Sequence, residues 1–360
     1  MKITLFAVTA IMVAVLTMVV TGVVNAQGIS PQSSNQIATE DAFYTPGYSQ
    51  LGTPAISPVL QRVVGDAAVV NPTRNPLQIA LLRWYAANLT TQISVGGGPA
   101  GLAFDGSSIW VANPQSGDVI KVRASDRTVL GTFAAGSQPL DLAFDGSNIW
   151  VVNNDSDTVT ELRASDGSTL GTFVVGTNPY ALAFDGSSIW VANFGSNNVT
   201  KLRASDGSNL GTFPVGTMPH GVAFDGSSVW VANSGSSNVT KLRASDGKVL
   251  GTFAVGTQPS GLAFDGTTMW VANGQSNNVT KLALNGSVLG IFAVTGNPYA
   301  LAFDGVSIWV ANFGGSTVTK LNLGGVIQGT FKVGSTPVRV AFDGANIWVA
   351  NRDSGTISKL

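Results

Sequence analysis

From residue 96 onward, apolar and polar residues alternate in short runs that are separated by glycine, asparagine and aspartate. Alternation with a period of two predicts β-strands. Asp225-Gly226 and Ser245-Asp246-Gly247, which separate two such pairs of runs, are typical of tight turns. We therefore predict four antiparallel strands in the segment 219–256, over residues 221–224, 229–232, 239–243 and 249–255.

This four-strand unit recurs seven times. The tetrapeptide Ala-Phe-Asp-Gly has its Phe at positions 104, 144, 184, 224, 264, 303 and 342. Seven of the eight tryptophans occupy one position of the repeat, namely 110, 150, 190, 230, 270, 309 and 348. Four-stranded units repeated at about 40 residues are typical of β-propeller blades. The fold class predicted over residues 90–360 is all-β, a seven-bladed β-propeller.

The last repeat stops at Leu360, after its third strand. A run with the fourth-strand pattern, residues 91–96, stands ahead of the first repeat and matches residues 252–256. We predict that this early strand completes the last blade and closes the ring, since closure removes exposed sheet edges.

Residues 1–26 have the layout of a secretory signal peptide. Lys2 is followed by an uncharged apolar run over residues 3–24, and small residues precede a cleavage point before Gln27. The run is also long enough to span a bilayer, so a retained membrane anchor is the alternative. Because Lys2 favours the cytoplasmic side, we expect a secreted or periplasmic protein in both cases.

Two further segments precede the repeats. Residues 27–74 are rich in Ser, Pro, Gly, Gln and Asn without a sustained period, which predicts a linker or loosely ordered arm. In residues 75–89, Asn75-Pro76 is a helix-start signal. Apolar residues at helical spacing follow it and predict a short helix that packs on the propeller body, namely Leu77, Ala80, Leu81 and Trp84.

Charge and cysteine content exclude several classes of function. The formal net charge is -1 and charged residues make up only 11% of the chain, so there is no basic field for nucleic acid. The absence of cysteine excludes disulfides, thiolate metal sites and a cysteine nucleophile. We expect no nucleic-acid partner, and contact with a membrane only through the first segment.

Three residue types are identical in all seven repeats and are interpreted as structural. The Asp of each Asp-Gly hairpin is expected to bond its own backbone. The Asn that ends each second strand, as in Asn233, is expected to cap the following turn. The repeated tryptophans are expected to pack between blades.

The repeats differ at two positions that strand order places on one face of the ring, called the mouth below. One follows the Pro that leads into the first strand, and the other follows the repeated Asn. Two blades carry matched aromatic residues there, Tyr180 with Phe194 and Tyr299 with Phe313, and a third carries His220.

Charged residues also occur at or beside these variable positions. The second repeat carries the acids Asp141, Asp155 and Asp157, and the last carries Arg339 and Arg352. We therefore predict a ligand-binding mouth with an aromatic part, an acidic sector and a basic sector. The alternative is drift among exposed loops.

The repeat pattern, GxxPxGLAFDG followed by WVAN, VTKL and DGxxLGTFxVG, resembles the YVTN and NHL-type bacterial propellers, and particularly the virginiamycin B lyase-like group, over residues 91–360. The resemblance implies the fold, which hosts enzymes and passive binders alike. In that group, histidines in Pro-His contexts and nearby glutamates serve a Mg-assisted ring-opening elimination. Pro219-His220-Gly221 matches this context, but His220 is the only histidine, and the only Glu after residue 40 is Glu161, on a third strand.

The scarcity of catalytic residue types leads to a non-catalytic interpretation. We predict an extracytoplasmic propeller that binds a small molecule, an envelope polymer or a protein, with no cofactor and no metal. Two alternatives stay open. One is a divergent lyase or hydrolase centred on His220, and the other is a structural or adhesive cell-surface protein.

Overall fold

A computed structural model describes residues 91–360 of the chain. This range contains 28 β-strands arranged in seven four-stranded antiparallel sheets. The fold is therefore the seven-bladed β-propeller that the repeats predict. The predicted signal segment, linker and helix, over residues 1–26, 27–74 and 75–89, lie outside the described residues. Within residues 91–360 there is no helix that could cross a membrane.

Six blades are continuous in the chain, and each runs from its innermost to its outermost strand. Blade 1 consists of β2 (Leu102–Phe104), β3 (Ser108–Asn113), β4 (Asp118–Arg123) and β5 (Val129–Ala134). Blade 2 consists of β6 (Pro139–Phe144), β7 (Asn148–Asn153), β8 (Thr158–Arg163) and β9 (Thr169–Val174). Blade 3 consists of β10 (Pro179–Phe184), β11 (Ser188–Asn193), β12 (Asn198–Arg203) and β13 (Asn209–Pro214). Blade 4 consists of β14 (Pro219–Phe224), β15 (Ser228–Asn233), β16 (Asn238–Arg243) and β17 (Val249–Ala254). Blade 5 consists of β18 (Pro259–Phe264), β19 (Thr268–Asn273), β20 (Asn278–Ala283) and β21 (Val288–Ala293). Blade 6 consists of β22 (Pro298–Phe303), β23 (Ser307–Asn312), β24 (Thr317–Asn322) and β25 (Ile327–Lys332).

Blade 7 is completed by a strand from the start of the ring. It contains β26 (Pro337–Phe342), β27 (Ile347–Asn351), β28 (Thr356–Lys359) and, as its outermost strand, β1 (Thr91–Ser94). β1 runs antiparallel to β28, with Thr91 opposite Lys359 and Ser94 opposite Thr356. The predicted closure by this strand is confirmed.

The core lies between neighbouring blades. One cluster joins Trp110 of blade 1 to Leu142 and Ile149 of blade 2. Another joins Trp348 of blade 7 to Ile109 of blade 1 and so continues the core around the ring. The predicted packing of the tryptophans between blades is confirmed. The innermost strands contact one another in sequence, and β2 contacts β26, so these strands surround the axis of the ring.

The repeated hairpin aspartate links its turn to the tryptophan of the same blade. Asp225 Oδ1 accepts hydrogen bonds from the backbone N–H groups of Ser227 and Ser228, at 2.9 and 2.7 Å. Its Oδ2 accepts one from Trp230 Nε1 at 2.7 Å. Burial on its own would raise the pKa of Asp225, but these hydrogen bonds outweigh it and hold the pKa below its ordinary value. The predicted turn role is confirmed, and every blade adds the indole contact.

The repeated asparagine connects the second and third strands across their turn. Asn233 Nδ2 donates to Asn238 Oδ1 at 2.8 Å and to Thr240 Oγ1 at 2.9 Å. Its side chain therefore holds together the two ends of the turn that it was predicted to cap. This turn lies at the mouth, where the residue that follows the asparagine differs from blade to blade.

Candidate functional site

The two variable positions of the mouth meet in space. In blade 3 the rings of Tyr180 and Phe194 have centroids 5.9 Å apart, and in blade 6 those of Tyr299 and Phe313 are 5.3 Å apart. All four side chains are half-buried. The loop that leads into the first strand and the loop after the second strand therefore lie on one face, as strand order indicates.

A β-bulge places the residue after the repeated proline in blades 3, 4 and 6. The register between first and second strands shifts between Pro179 and Ala181, and again between Pro219 and Gly221. The same shift follows Pro298 in blade 6. The extra residue of each bulge is therefore Tyr180, His220 or Tyr299. A bulge turns a side chain away from the regular alternation of the strand, and here it does so at the axis of the ring.

The three bulge residues form one hydrogen-bonded group, called the mouth triad below. The hydroxyls of Tyr180 and Tyr299 are 2.5 Å apart, and His220 Nε2 lies 3.1 Å from the Tyr299 hydroxyl. The His220 ring packs against Tyr180 with centroids 4.1 Å apart and meets Tyr299 edge-on at 5.1 Å. Because blades 3 and 6 are not neighbours, the bond between the two tyrosines crosses the axis.

The environment of the triad keeps His220 neutral. Burial disfavours the imidazolium, and the positive charges of Arg339 and Arg352 disfavour it further, so the pKa of His220 falls to about 3. A hydrogen bond with the Ser260 backbone acts in the opposite direction and is outweighed. Burial and the neighbouring Tyr180 also raise the pKa of Tyr299 above its ordinary value. His220 and Tyr299 are therefore both uncharged at neutral pH.

Asp141 and Arg339 form an ion pair beside the triad. Arg339 Nη2 lies 2.7 Å from Asp141 Oδ2, which also accepts a hydrogen bond from the Leu182 backbone at 3.3 Å. Burial raises the pKa of Asp141, and Arg339 offsets part of that rise. The expected separation into an acidic and a basic sector is wrong for these two residues, because the chain brings them into contact across blade 1.

Gly101 of blade 1 makes room for this pair. A Cβ atom on Gly101 would stand 2.7 Å from Asp141 Cα, so a side chain here would displace the backbone of blade 2. Arg339 retains one free donor, since its Nε is buried without a hydrogen-bond partner among residues 91–360.

The other predicted charged residues are Asp155, Asp157 and Arg352, and they do not share one environment. Asp155 is exposed and accepts a hydrogen bond from Gln138 Nε2 at 3.2 Å. Asp157 Oδ1 accepts one from the Asn178 backbone at 2.8 Å and so supports the loop that leads into blade 3. Arg352 is half-buried, and its charge reaches both His220 and Tyr299. Arg352 thus contributes to the electrostatics of the triad, whereas Asp155 and Asp157 belong to the surface turns.

A cavity of about 160 Å³ opens beside the triad. Blades 3 and 6 fill the two variable positions with a Tyr and a Phe, but blade 5 has Ser260 and Gly274 there, and the missing ring volume leaves the space. Ser260 Oγ donates to the Tyr299 backbone at 2.8 Å and so forms part of the wall. The cavity is lined by His220, Ser234, Gln258, Ser260, Gly274, Asn297, Tyr299 and Phe313.

Five of these lining residues are not among the site residues that the sequence singles out, namely Ser234, Gln258, Ser260, Gly274 and Asn297. The signal that could have found two of them is the small size of Ser260 and Gly274 at positions that carry aromatic rings in other blades. Gln258 and Asn297 directly precede the repeated proline, where the residue type varies without a pattern.

The arrangement suits binding better than proton transfer. A general base works best with a pKa near the working pH, and that of His220 is far lower. Within the described part of the chain there is no group of three or more His, Cys, Asp or Glu side chains that could hold a metal. The mouth instead offers aromatic surfaces, hydroxyl and amide groups, and two guanidinium groups.

Comparisons with known proteins establish the fold. No protein-family model and no curated protein matches the chain. Hydrazine synthase of Kuenenia stuttgartiensis has a TM-score of 0.65 at 22% identity, over 75% of this chain and 97% of that chain. Virginiamycin B lyase of Staphylococcus aureus has a TM-score of 0.66 at 16% identity, over 75% of this chain and 98% of that chain. The similarity supports the resemblance to the virginiamycin B lyase-like propellers at the level of the fold.

Proposed function

We propose that the protein is a non-catalytic, extracytoplasmic propeller that binds one ring-shaped group of its ligand in the mouth cavity. The ligand is a small molecule, an envelope polymer or a protein. The observation that carries the proposal is the cavity of about 160 Å³ between His220, Tyr299 and Phe313. A cavity of about 150 Å³ is enough to take a benzene molecule.

The size of the cavity defines how much of the ligand it takes. Pockets that enclose whole drug-sized ligands have volumes of about 300 Å³ or more. The mouth cavity is smaller, so it anchors a single ring or side chain, and the remainder of the ligand lies over the open mouth. Phe194, Tyr180 and the outer loops are available for that remainder.

The charges of the mouth favour a ring that carries a negative charge. Arg339 and Arg352 both act on His220 through their positive charge, and within residues 91–360 the buried Nε of Arg339 has no hydrogen-bond partner. Among the same residues, Arg339 forms an ion pair with Asp141, whereas Arg352 forms none. An aromatic carboxylate therefore gains more from this site than a neutral ring does.

A titration with two ring probes tests the proposal. We expect benzoate to bind more tightly than benzyl alcohol, and both to shift amide resonances of Ser260 and Tyr299 in ¹H–¹⁵N spectra. The double variant Ser260→Tyr with Gly274→Phe copies the aromatic pair of blades 3 and 6 into blade 5 and fills the cavity. It should lower the affinity for benzoate at least tenfold.

Leu170→Ala provides the control, because Leu170 is exposed on an outer strand away from the mouth. It should bind benzoate as the unmodified protein does. Unchanged benzoate binding in the Ser260→Tyr, Gly274→Phe variant, or equal loss in the control, would show that the ligand site is not the mouth cavity.

The enzymatic alternative has its own test. Quinupristin is named in a solved structure of a catalytically inactive virginiamycin B lyase, so it is the probe of choice. Turnover of quinupristin in the presence of Mg²⁺ that disappears in His220→Ala would replace the binding function by a lyase function. We expect no turnover in either protein, because the pKa of His220, about 3, makes it a weak base.

A further inference from the structure

An ammonium group is built into six of the seven blades. A lysine on the third strand lies with its Nζ 4.7–5.1 Å from the centroid of the tryptophan ring in the same blade, as for Lys121, Lys201, Lys241, Lys281, Lys320 and Lys359. In blade 4, Lys241 Nζ also lies 3.2 Å from Asp225 Oδ2 and donates to the backbone oxygen of Leu284 in blade 5 at 2.8 Å. We call this position, between an Asp, a Trp and a carbonyl of the next blade, the ammonium slot.

The same slot recurs around the ring. Five of the lysines donate to a backbone oxygen of the next blade, at distances from 2.6 to 2.9 Å. Four of them lie within 4.0 Å of the hairpin aspartate. A lysine ammonium group therefore connects adjacent blades at five of the seven blade interfaces, and similar groups bind it at each of them.

Blade 2 keeps the slot and lacks the cation. Its third strand carries Glu161 opposite Trp150, where the other blades carry lysine. Asp145 and Trp150 retain their hydrogen bond, with Trp150 Nε1 donating to Asp145 Oδ2 at 2.7 Å. The oxygen of Ala204 in blade 3, which corresponds to the carbonyls that accept from lysine elsewhere, receives no hydrogen bond from a side chain of the described residues.

The Glu161 side chain is held by one hydrogen bond, and its second carboxylate oxygen is available as an acceptor. It is only 8% exposed. Its Oε1 accepts a hydrogen bond from Asn148 Nδ2 at 2.7 Å, and no side chain or backbone group within residues 91–360 donates to its Oε2. Burial raises the pKa of Glu161, and the negative charge of Asp145 raises it further. The carboxyl groups of Glu161 and Asp145 thus lie close to each other without the lysine ammonium group that the other six blades have at this position.

An open cleft leads to this position. It has a volume of about 680 Å³ and lies between blades 2 and 3, with Asp145, Asn148, Glu161 and Ala204 on its walls. Lys201 and Arg203 also line it. Both are engaged elsewhere, because Lys201 donates to the Ala244 backbone at 2.6 Å and Arg203 pairs with Asp206 at 3.0 Å.

We propose that the cleft between blades 2 and 3 binds a primary ammonium group, which occupies the ammonium slot from outside the chain. A primary ammonium has three N–H donors and no acceptor. The slot offers three oxygen acceptors, namely a carboxylate oxygen of Glu161, a carboxylate oxygen of Asp145 and the carbonyl oxygen of Ala204. The ligand is a free alkylamine or a lysine side chain of another protein, and its carbon chain lies in the cleft.

Titration of the full-length protein with n-butylammonium chloride at neutral pH tests this site. We expect saturable shifts of the Trp150 indole N–H resonance, which reports on Asp145. Tetramethylammonium has the same charge but no N–H donor and should bind at least tenfold more weakly. Equal binding of the two ions, or a Trp150 resonance that responds to neither, would overturn the proposal.

Two substitutions at one position separate charge from shape. Glu161→Lys supplies the slot with its own ammonium, as in the other blades, and should abolish butylammonium binding. Glu161→Gln keeps the size of the side chain and should weaken binding at least tenfold. In the reciprocal experiment, Lys241→Glu should create a second butylammonium site that the Trp230 indole resonance reports.

The source of the ammonium is distinguished by comparing spermidine with N-acetyl-lysine methylamide. A tenfold preference for the first indicates a free amine, and one for the second indicates a lysine of a protein partner. Because the cleft is remote from the mouth, the Ser260→Tyr, Gly274→Phe variant should bind butylammonium normally. The proposed ligand site in the mouth cavity and the proposed ammonium site in the cleft can therefore be disproved separately.

Discussion

On the face that carries the Asp-Gly hairpins, all seven blades repeat one Asp–Trp hydrogen bond. At the mouth, by contrast, the repeated proline is followed by Leu, Tyr, His, Ser, Tyr and Val in blades 2 to 7. Each hairpin aspartate binds the indole of its own blade, and that buried indole packs against the next blade, as Trp110 and Trp230 do. The mouth contacts are half-buried and join distant blades. The difference indicates that stability resides between the blades, and that the mouth is free to vary in chemistry.

The sharpest way to break this comparison is to remove one aromatic ring from each region. Trp230 is fully buried in the core between blades 4 and 5, and Trp230→Ala should lower the free energy of unfolding by about 3–5 kcal/mol. Tyr180→Ala removes a half-buried ring at the mouth and should cost less than about 2 kcal/mol, since surrounding water can fill the space. Urea unfolding followed by tryptophan fluorescence measures both.

A similar cost for the two variants would contradict the division into a stabilising region and a variable one. The mouth would then have to be counted as part of the core. Retention of the β-sheet circular dichroism signal in Tyr180→Ala would show that the ring still closes.

A second comparison uses two aspartates of similar sequence context. Asp225→Asn places an amide against the Trp230 indole and the Lys241 ammonium, both of which are donors. It should lower the free energy of unfolding by about 1–3 kcal/mol. Asp206→Asn changes an exposed turn in which the aspartate pairs with Arg203, and it should leave the free energy of unfolding nearly unchanged, because exposed ion pairs contribute little.

The hydrogen bonds of Asp225 also make the stability of the fold depend on pH. Burial raises the pKa of Asp225, but the hydrogen bonds from Trp230 and the turn lower it to below the ordinary value of 3.8. The carboxylate therefore stabilises the fold above about pH 3.8 and stops doing so as the pH falls through the lowered pKa. Acid unfolding of Asp225→Asn should be less steep than that of the unmodified protein, and an equally steep transition would contradict the role of Asp225.

The smallest expected effect concerns the mouth triad. The pKa of His220 is about 3 in the folded protein, whereas the ordinary pKa of histidine is 6.5, so the unfolded chain binds an additional proton between these two pH values. Stability from this residue is therefore complete above pH 6.5 and decreases as the pH falls towards 3. His220→Gln should flatten the decrease between pH 6.5 and 4.5, above the range where the hairpin aspartates titrate.

Urea unfolding at several pH values measures this slope. Identical slopes for His220→Gln and the unmodified protein would mean that His220 is solvated and titrates normally. That result would also revive a role for His220 as a base.

Much of the architecture could be predicted because it repeats. The tryptophan spacing defines seven blades, and the strands predicted around Trp230 differ from the observed ones by one or two residues at most of their ends. The largest difference is at Pro219, where the first strand begins before the bulge. A bulge changes the register without a sequence pattern of its own, so the predicted strand starts at Gly221.

The contacts of the site could be predicted only in part. Tyr180–Phe194 and Tyr299–Phe313 follow from strand order within one blade. The Tyr180–Tyr299 bond depends on the distance across the ring axis, which no local pattern contains. The Asp141–Arg339 pair depends on the small residues of blade 1 between them.

Glu161 shows how a signal can be present in the sequence and still be overlooked. Its sequence position corresponds to the repeated lysine, and its acidic character is unique among the seven repeats. The significance of the exchange emerges only when the structure shows what the lysines contact. Once the contacts of the repeated lysine are known, the one blade with a different residue at that position can be interpreted.

The pairing of β1 with β28 has a consequence for the order in which the ring is made. Blades 1 to 6 are built from consecutive hairpins and can form as soon as their residues are available, whereas the first strand must wait for the last. Contacts between residues far apart in sequence are slow to form. Until they do, blade 7 has three strands and an open edge at β28, which is a point of association with other chains. The step that completes the ring is thus also the step during which the protein is most exposed to misassembly.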